Sequence, residues 1–277
     1  MKKLRRSARL VDMTQHLLAH PHTLIPLTLF SDQYGAAKSS ISEDLSIIKE
    51  AFEGEGIGLL KTVAGAAGGV KYIPLTPRDQ AARFTKELIE QLEKPERLLP
   101  GGYLYMSDIL GDPATLSIIG KMFASAFAEA DPDVVMTVET KGIPLAYATA
   151  SHLNVPVVIV RRDNKVTEGS VVSINYVSGS SKRIQTMSLA RRALAEQSRV
   201  LIIDDFMKAG GTIQGMIDLL QEFRAKVVGC GVLVETADAS ERLIDDYISL
   251  AKLKDVDIKE KQIEIELGSY FPREGNE

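Results

Sequence analysis

The sequence predicts a two-part chain. A small helical module ending in a β-hairpin comes first, and an α/β unit built on a doubly wound, mainly parallel sheet follows. Three observations predict this. The 277 residues suffice for two domains of typical size. Up to residue 73, short amphipathic helices lead into two β-prone segments around a Gly/Ala-rich tip. In the second half, β-branched runs alternate with amphipathic helices, the rhythm of parallel strands joined by crossover helices. The boundary is placed between 73 and 74, giving parts 1–73 and 74–277.

Residues 4–20 form the first expected helix, with Leu10, Met13, Leu17 and Leu18 near helical spacing and Pro21 just past the end. Pro26–Tyr34 is a second, short helix stopped by Gly35. A third begins near Ser39 or Ser40. Ser40 and Glu43 have capping-box spacing, and Ile41, Leu45, Ile48 and Phe52 mark a buried face. Gly58–Val63 and Gly69–Ile73 make a hairpin with its tip at 64–68. Three short helices and a hairpin constitute a winged helix-turn-helix, whose third helix enters the DNA major groove. Lys38, Ser39, Ser40 and Ser42 open that helix, where base edges are reached. Lys61 and Lys71 flank the wing, and Arg5, Arg6 and Arg9 suit phosphate contacts, which orient without reading sequence. A helical module with a solvated basic face, docking on another protein, has the same pattern.

Pro74–Pro77 reads as a linker, Arg78–Leu92 as an amphipathic helix and Pro95–Gly102 as a break. Asp133–Val138, Val155–Val160, Val200–Ile203 and Val227–Val234 are expected strands. Pro144–Leu153 and Thr212–Phe223 are expected helices. In such sheets ligands bind beyond the carboxyl ends of the strands.

Composition narrows the function classes. Hydrophobic residues make up 45% and charged residues 25%, as in soluble globular proteins. Cys230 is the single cysteine, so no internal disulfide exists, and its apolar setting marks a core residue. No apolar run approaches a membrane span and no signal-peptide pattern opens the chain, so a cytoplasmic protein without a membrane partner is expected. Nine basic and seven acidic side chains through Lys71 give +2 there, against −4 for the whole chain. Five of those basic residues fall within the first nine positions. His16, His20, His22 and His152 do not form a metal-binding pattern, and no protein-bound metal is expected.

The segment Val200–Thr212 carries the most chemistry. An apolar strand leads to Asp204-Asp205, then to Lys208-Ala209-Gly210-Gly211-Thr212 at a helix start. Free amides and the helix dipole there favour a phosphate, and the glycines permit close approach. Two carboxylates beside a phosphate cradle make sense if they accept hydrogen bonds from vicinal sugar hydroxyls. This run of thirteen residues resembles the phosphoribosyl pyrophosphate (PRPP) signature of type I phosphoribosyltransferases. It departs at Lys208-Ala209, where the enzymes commonly carry Ala-Thr. Glu139-Thr140-Lys141-Gly142 resembles the pyrophosphate loop of the same family, with Thr140, Lys141 and Gly142 as its contacts. Arg161–Arg183, including Arg161, Arg162, Lys165, Lys182 and Arg183, corresponds to a region that in those enzymes closes over PRPP. A solvated hairpin is the alternative. Tyr103 and Tyr105 suit either a base pocket or core packing.

Together with Pro100-Gly101-Gly102-Tyr103 and Asn175-Tyr176-Val177-Ser178-Gly179-Ser180, these motifs make the chain resemble the purine operon repressors of Gram-positive bacteria. These are the phosphoribosyltransferase-type repressors, distinct from the lac type. The resemblance implies a homodimer joined through the phosphoribosyltransferase-like domains. It implies binding to inverted repeats in operator DNA upstream of purine synthesis and transport genes, induction by PRPP, and no transferase activity, hence no catalytic residue. Mg²⁺ would arrive with the diphosphate. A guanine-nucleotide alarmone competing at the phosphate loop is a further expectation. The alternatives are an active purine phosphoribosyltransferase with an accessory N-terminal domain and a PRPP sensor that contacts a protein.

Overall fold

In a computed structural model of the chain, residues 4–65, 68–162, 169–177, 184–237 and 242–271 are described. Two compact units result, the first carrying Met1–Pro77 and the second beginning at Arg78.

The first unit comprises α1 (Arg6–Ala19), β1 (Leu24–Pro26), α2 (Leu27–Tyr34), α3 (Lys38–Gly54), β2 (Gly58–Val63) and β3 (Gly69–Pro74). Met13 and Leu17 of α1, Phe30 of α2, and Ile41, Leu45, Ile48 and Phe52 of α3 close one core over Leu60, Val70 and Tyr72 of the hairpin. Those α3 residues are the face its spacing predicts. Gly35 ends α2 in the left-handed region, at φ 59°, which glycine adopts without strain. Two expectations need correcting. α3 begins at Lys38, with Ala37 as its N-cap and no side-chain cap bond, so Ser40 lies inside the helix and forms no capping box. β1 was not foreseen, because three residues are too short for a periodicity. It pairs antiparallel with β3 and completes a β1-β3-β2 sheet. At Gly69 a side chain would collide with the Ile25 carbonyl, so glycine is required where the two strands meet. Residues 66 and 67 of the wing tip lie outside the described residues.

The second unit comprises α4 (Arg78–Leu92), β4 (Leu98–Leu99), β5 (Tyr103–Leu104), α5 (Pro113–Ala126), β6 (Val134–Val138), α6 (Gly142–Leu153), β7 (Val157–Val160), β8 (Val171–Val177), β9 (Ile184–Ala190), β10 (Arg199–Met207), α7 (Gly211–Glu222), β11 (Lys226–Thr236), β12 (Ile248–Asp257) and β13 (Gln262–Leu267). The main sheet has the order β13-β12-β11-β10-β6-β7, and only β12 and β13 pair antiparallel. β6 is buried along its whole length, as a strand covered on both faces must be. From β6 the chain proceeds outward to β7, then returns to the other side through β10, β11 and β12. The strand order therefore reverses between β6 and β10, the crevice where such sheets take ligands.

β10 is longer than its apolar run suggests. Its ladder with β11 continues through Asp204↔Val232, Phe206↔Val234 and Met207↔Glu235, so both aspartates stand on the strand and not in the following loop. α5 and the β12–β13 hairpin were not foreseen. α5 starts in the expected physical way, with Pro113 in its first turn and the Asp112 carboxylate accepting the Thr115 amide at 2.8 Å. β8 and β9 form an antiparallel hairpin whose Tyr176 and Met187 rest on α7 at Gly215, where an added Cβ would lie 3.0 Å from each. Lys165, Ser178, Gly179, Ser180, Lys182 and Arg183 lie outside the described residues.

Candidate functional site

The reversal point of the sheet gathers the predicted ligand residues. Asp204, only 4% exposed, faces the start of α6. A Cβ on Gly142 would collide with the Thr137 hydroxyl and lie 2.8 Å from Asp204 Oδ1. Glycine is thus what lets the 139–142 loop close over the acid. Asp204 Oδ1 accepts the Asp205 amide at 3.0 Å. Burial, then the neighbouring Asp205 charge, pushes the Asp204 carboxyl well above its usual range. Burial also raises Asp205, against the pull of Asp204 hydrogen bonding and of the Lys141 and Arg162 charges. Lys141 and Arg162, from the ends of β6 and β7, therefore share the field of the acid pair.

The loop after β10 lies beside it. Gly210 has φ 87° and precedes α7 as an N-cap without a side-chain bond, leaving the first-turn amides to an external acceptor. Lys208 is exposed, Ala209 and Thr212 are half-buried, and Gly210 and Gly211 are buried. The Ala209 carbonyl accepts the Leu243 amide at 2.9 Å.

Glu139, at the head of the 139–142 motif, has a role its sequence does not announce. Its carboxylate accepts the Arg162 amide at 2.7 Å and pairs with Arg161 at 3.3 Å, joining the loops after β6 and β7. The backbone of Arg161 pairs in turn with Ser188 of β9. Arg161 is therefore engaged by its own chain, and the signal that could have shown this was an acid at one strand end facing an arginine pair at the next. Tyr103 stands apart. It is 62% exposed on the β4–β5 hairpin, and an added Cβ on neighbouring Gly102 would meet Ile258 at 3.9 Å, beyond β12 and two strands from β10.

Chemically, the crevice offers one buried and one half-buried carboxylate side by side, a lysine and an arginine whose charges reach them, and helix-start amides following the same strand. Such a set suits a ligand carrying vicinal hydroxyls between two phosphate groups.

The first unit presents a different surface. Arg5, Arg6, Lys38, Ser39, Ser42 and Lys61 are exposed, while Ser40 and Lys71 are half-buried. Lys61 and Lys71 are direct partners across the β2–β3 ladder, on the face away from the Leu60–Tyr72 core. Like charges placed opposite destabilise a hairpin slightly, a cost that a bound polyanion offsets. Arg6 and Arg9 both donate to Asp44, which has no exposed surface; Arg6 does so at 2.9 Å. Arg9, with its side chain 12% exposed, serves to hold α1 against α3.

The fold and these two surfaces define a phosphoribosyltransferase-type α/β domain preceded by a winged-helix domain. Comparison agrees on both. Residues 5–74 match the family model described as "Bacterial purine repressor, N-terminal" and residues 106–267 the phosphoribosyl transferase domain. The crystal structure of adenine phosphoribosyltransferase from Thermoanaerobacter pseudethanolicus superposes with a TM-score of 0.53 and 23% identity, over 60% of this chain and 98% of that one, a likeness of fold. The chain is 66% identical to the purine biosynthesis transcriptional repressor PurR of Bacillus subtilis (strain 168), over 97% of this chain and 94% of the relative. It is 47% identical to the purine biosynthesis transcriptional activator PurR of Lactococcus lactis subsp. lactis (strain IL1403), over 97% and 99%. The chain belongs to this family of purine-biosynthesis transcriptional regulators. Among the described residues no helix is long and apolar enough to cross a membrane.

Proposed function

We propose that the chain is a homodimeric repressor that binds operator DNA upstream of purine synthesis and transport genes, and that PRPP, bound in a non-catalytic phosphoribosyltransferase-like domain, releases it. The observation that carries the reading is the Asp204–Asp205 pair, the first buried and the second half-buried, at the reversal point of the sheet and flanked by two phosphate-compatible loops. In this reading the two acids accept hydrogen bonds from the ribose 2′ and 3′ hydroxyls. Lys208–Thr212 takes the 5′-phosphate, and Thr140, Lys141 and Gly142 take the diphosphate with its Mg²⁺, joined by Arg162. Transferase activity is not expected, since Lys208-Ala209 alters the loop that in the enzymes commonly carries Ala-Thr. The same loop would accept the phosphates of a guanine-nucleotide alarmone, which would then compete with PRPP.

On DNA, Lys38, Ser39, Ser40 and Ser42 address base edges. Arg5, Arg6, Lys61 and Lys71 address phosphates, and two copies of the module match the halves of an inverted repeat. Linkage requires that PRPP and DNA weaken each other by the same factor. A hundredfold effect corresponds to about 2.7 kcal/mol.

The test is a titration of a purine-operon upstream fragment with and without PRPP and Mg²⁺, repeated across salt. The expected result is specific binding that falls steeply with salt and is relieved by PRPP. Specific binding indifferent to PRPP would sink the effector assignment. Salt-independent binding would sink the phosphate contacts. The fold likeness to adenine phosphoribosyltransferase makes one control obligatory, an assay for PRPP consumption with purine bases. Turnover there would favour the enzyme reading.

A further inference from the structure

Glu235, the penultimate residue of β11, lies beside Met207 of β10 and is 5% exposed. Its carboxylate accepts three side-chain donors. Arg242 Nη1 donates at 2.6 Å, the Tyr247 hydroxyl donates to the same oxygen, and Ser249 Oγ donates to the other at 2.7 Å. Arg242 also reaches the Thr236 carbonyl at 2.7 Å and lies over the Tyr247 ring, 5.2 Å from its centroid. The segment 242–247 is therefore stapled at both ends to one buried carboxylate.

The residues between the staples touch the candidate phosphate loop. The Leu243 amide donates to the Ala209 carbonyl at 2.9 Å. Ile244 packs so closely on Gly210 that a Cβ there would lie 3.0 Å from its Cγ1. On the near side, the Thr236 hydroxyl faces the Lys208 carbonyl at 3.5 Å. The carbonyl side of Lys208-Ala209-Gly210 is thus held by β11 and the stapled segment. The amide side, at the start of α7, is left to face a ligand.

We infer that Glu235 is a positioning residue for the 5′-phosphate loop, acting through Arg242, Tyr247 and the stapled segment. This rests on the effector site proposed above. Glu235 touches no ligand. It fixes the loop's backbone so that ordering those residues is not left to the moment of binding. A half-ligand experiment separates this role from general support of the fold, because the second anion loop, 139–142, follows a different strand, β6.

The ligands are ribose 5-phosphate, Mg²⁺-pyrophosphate and PRPP. Each is titrated calorimetrically against the full-length wild type, Glu235→Gln and Tyr247→Phe, with thermal melting as the check on folding. Glu235→Gln is expected to weaken ribose 5-phosphate and PRPP about tenfold, the scale of losing charge-assisted hydrogen bonds. Tyr247→Phe, which keeps the ring under Arg242, is expected to do so by a smaller factor. Pyrophosphate affinity should stay within about twofold in both. Equal weakening of ribose 5-phosphate and pyrophosphate, or no weakening in a folded variant, overturns the inference. If Glu235→Gln does not fold, Tyr247→Phe decides alone by the same criterion. A wild type that takes none of the three ligands overturns the effector reading itself and the inference with it.

Discussion

Asp44 in the first unit and Asp204 in the second are both aspartates without appreciable exposure, and their surroundings are opposite. Around Asp44 burial raises the pKa, but hydrogen bonds from Arg9 and Arg6 outweigh it and hold the carboxyl below its ordinary value. Around Asp204 burial and the Asp205 charge act together, and the carboxyl sits well above its ordinary value. The first acid is satisfied by its own chain and serves the fold. The second takes its hydrogen bonding from its neighbour Asp205, whose charge also repels it, a setting that makes sense if a ligand's hydroxyls complete it. A charge whose partners are all intramolecular reads as architecture, and one left wanting reads as a site.

The largest expected effect breaks the second environment by shape. Gly142→Ala places a methyl against Thr137 and Asp204, and PRPP affinity should fall about a hundredfold, or about 2.7 kcal/mol, with ligand-free DNA affinity unchanged. Calorimetry and a DNA titration check the two halves. Next, Arg9→Met strands part of the Asp44 charge and should destabilise the first unit by about 2–3 kcal/mol, read by denaturant unfolding. Because the folded pKa of Asp44 is depressed, the stability it contributes is present above its ordinary value of 3.8 and is lost as pH falls through the folded pKa. The penalty of Arg9→Met should therefore shrink in acid.

Asp204→Asn should do the reverse. A carboxyl whose folded pKa is raised destabilises at neutral pH, and that cost lessens as pH falls below the folded pKa and is gone near the ordinary value of 3.8. The variant should melt higher than wild type at pH 7, by the equivalent of about 1–2 kcal/mol, lose the gain on acidification, and bind PRPP poorly. An unchanged melting temperature at pH 7 would break the contrast with Asp44. The smallest effect belongs to exposed cations. Lys61→Ala should reduce the salt slope of DNA binding by about 1 and leave stability unchanged or a few tenths of a kcal/mol higher, since it removes a like-charge cross-strand pair.

How much of this was legible in the sequence follows from locality. The signature 200–212 is one strand, one loop and one helix start, so its chemistry is readable in consecutive residues, as is α4, whose amphipathic run from Arg78 to Leu92 is the helix observed. Asp44 gave no such sign. Its spacing sets it among the buried residues of α3, but the arginines that make burial tolerable lie 35 and 38 positions away. Glu235 was equally silent, since its partners join only after the chain turns back after β11. Short elements such as β1 are decided by pairing, which no local pattern records.

The most direct measurement of the central claim is the operator-DNA titration of the Asp204→Ala, Asp205→Ala double variant beside the wild type, each with and without PRPP and Mg²⁺. The account predicts that both proteins bind DNA alike without PRPP and that only the wild type is released by it. A double variant that is still released by PRPP as readily as wild type would contradict the assignment of the effector's ribose to these two acids.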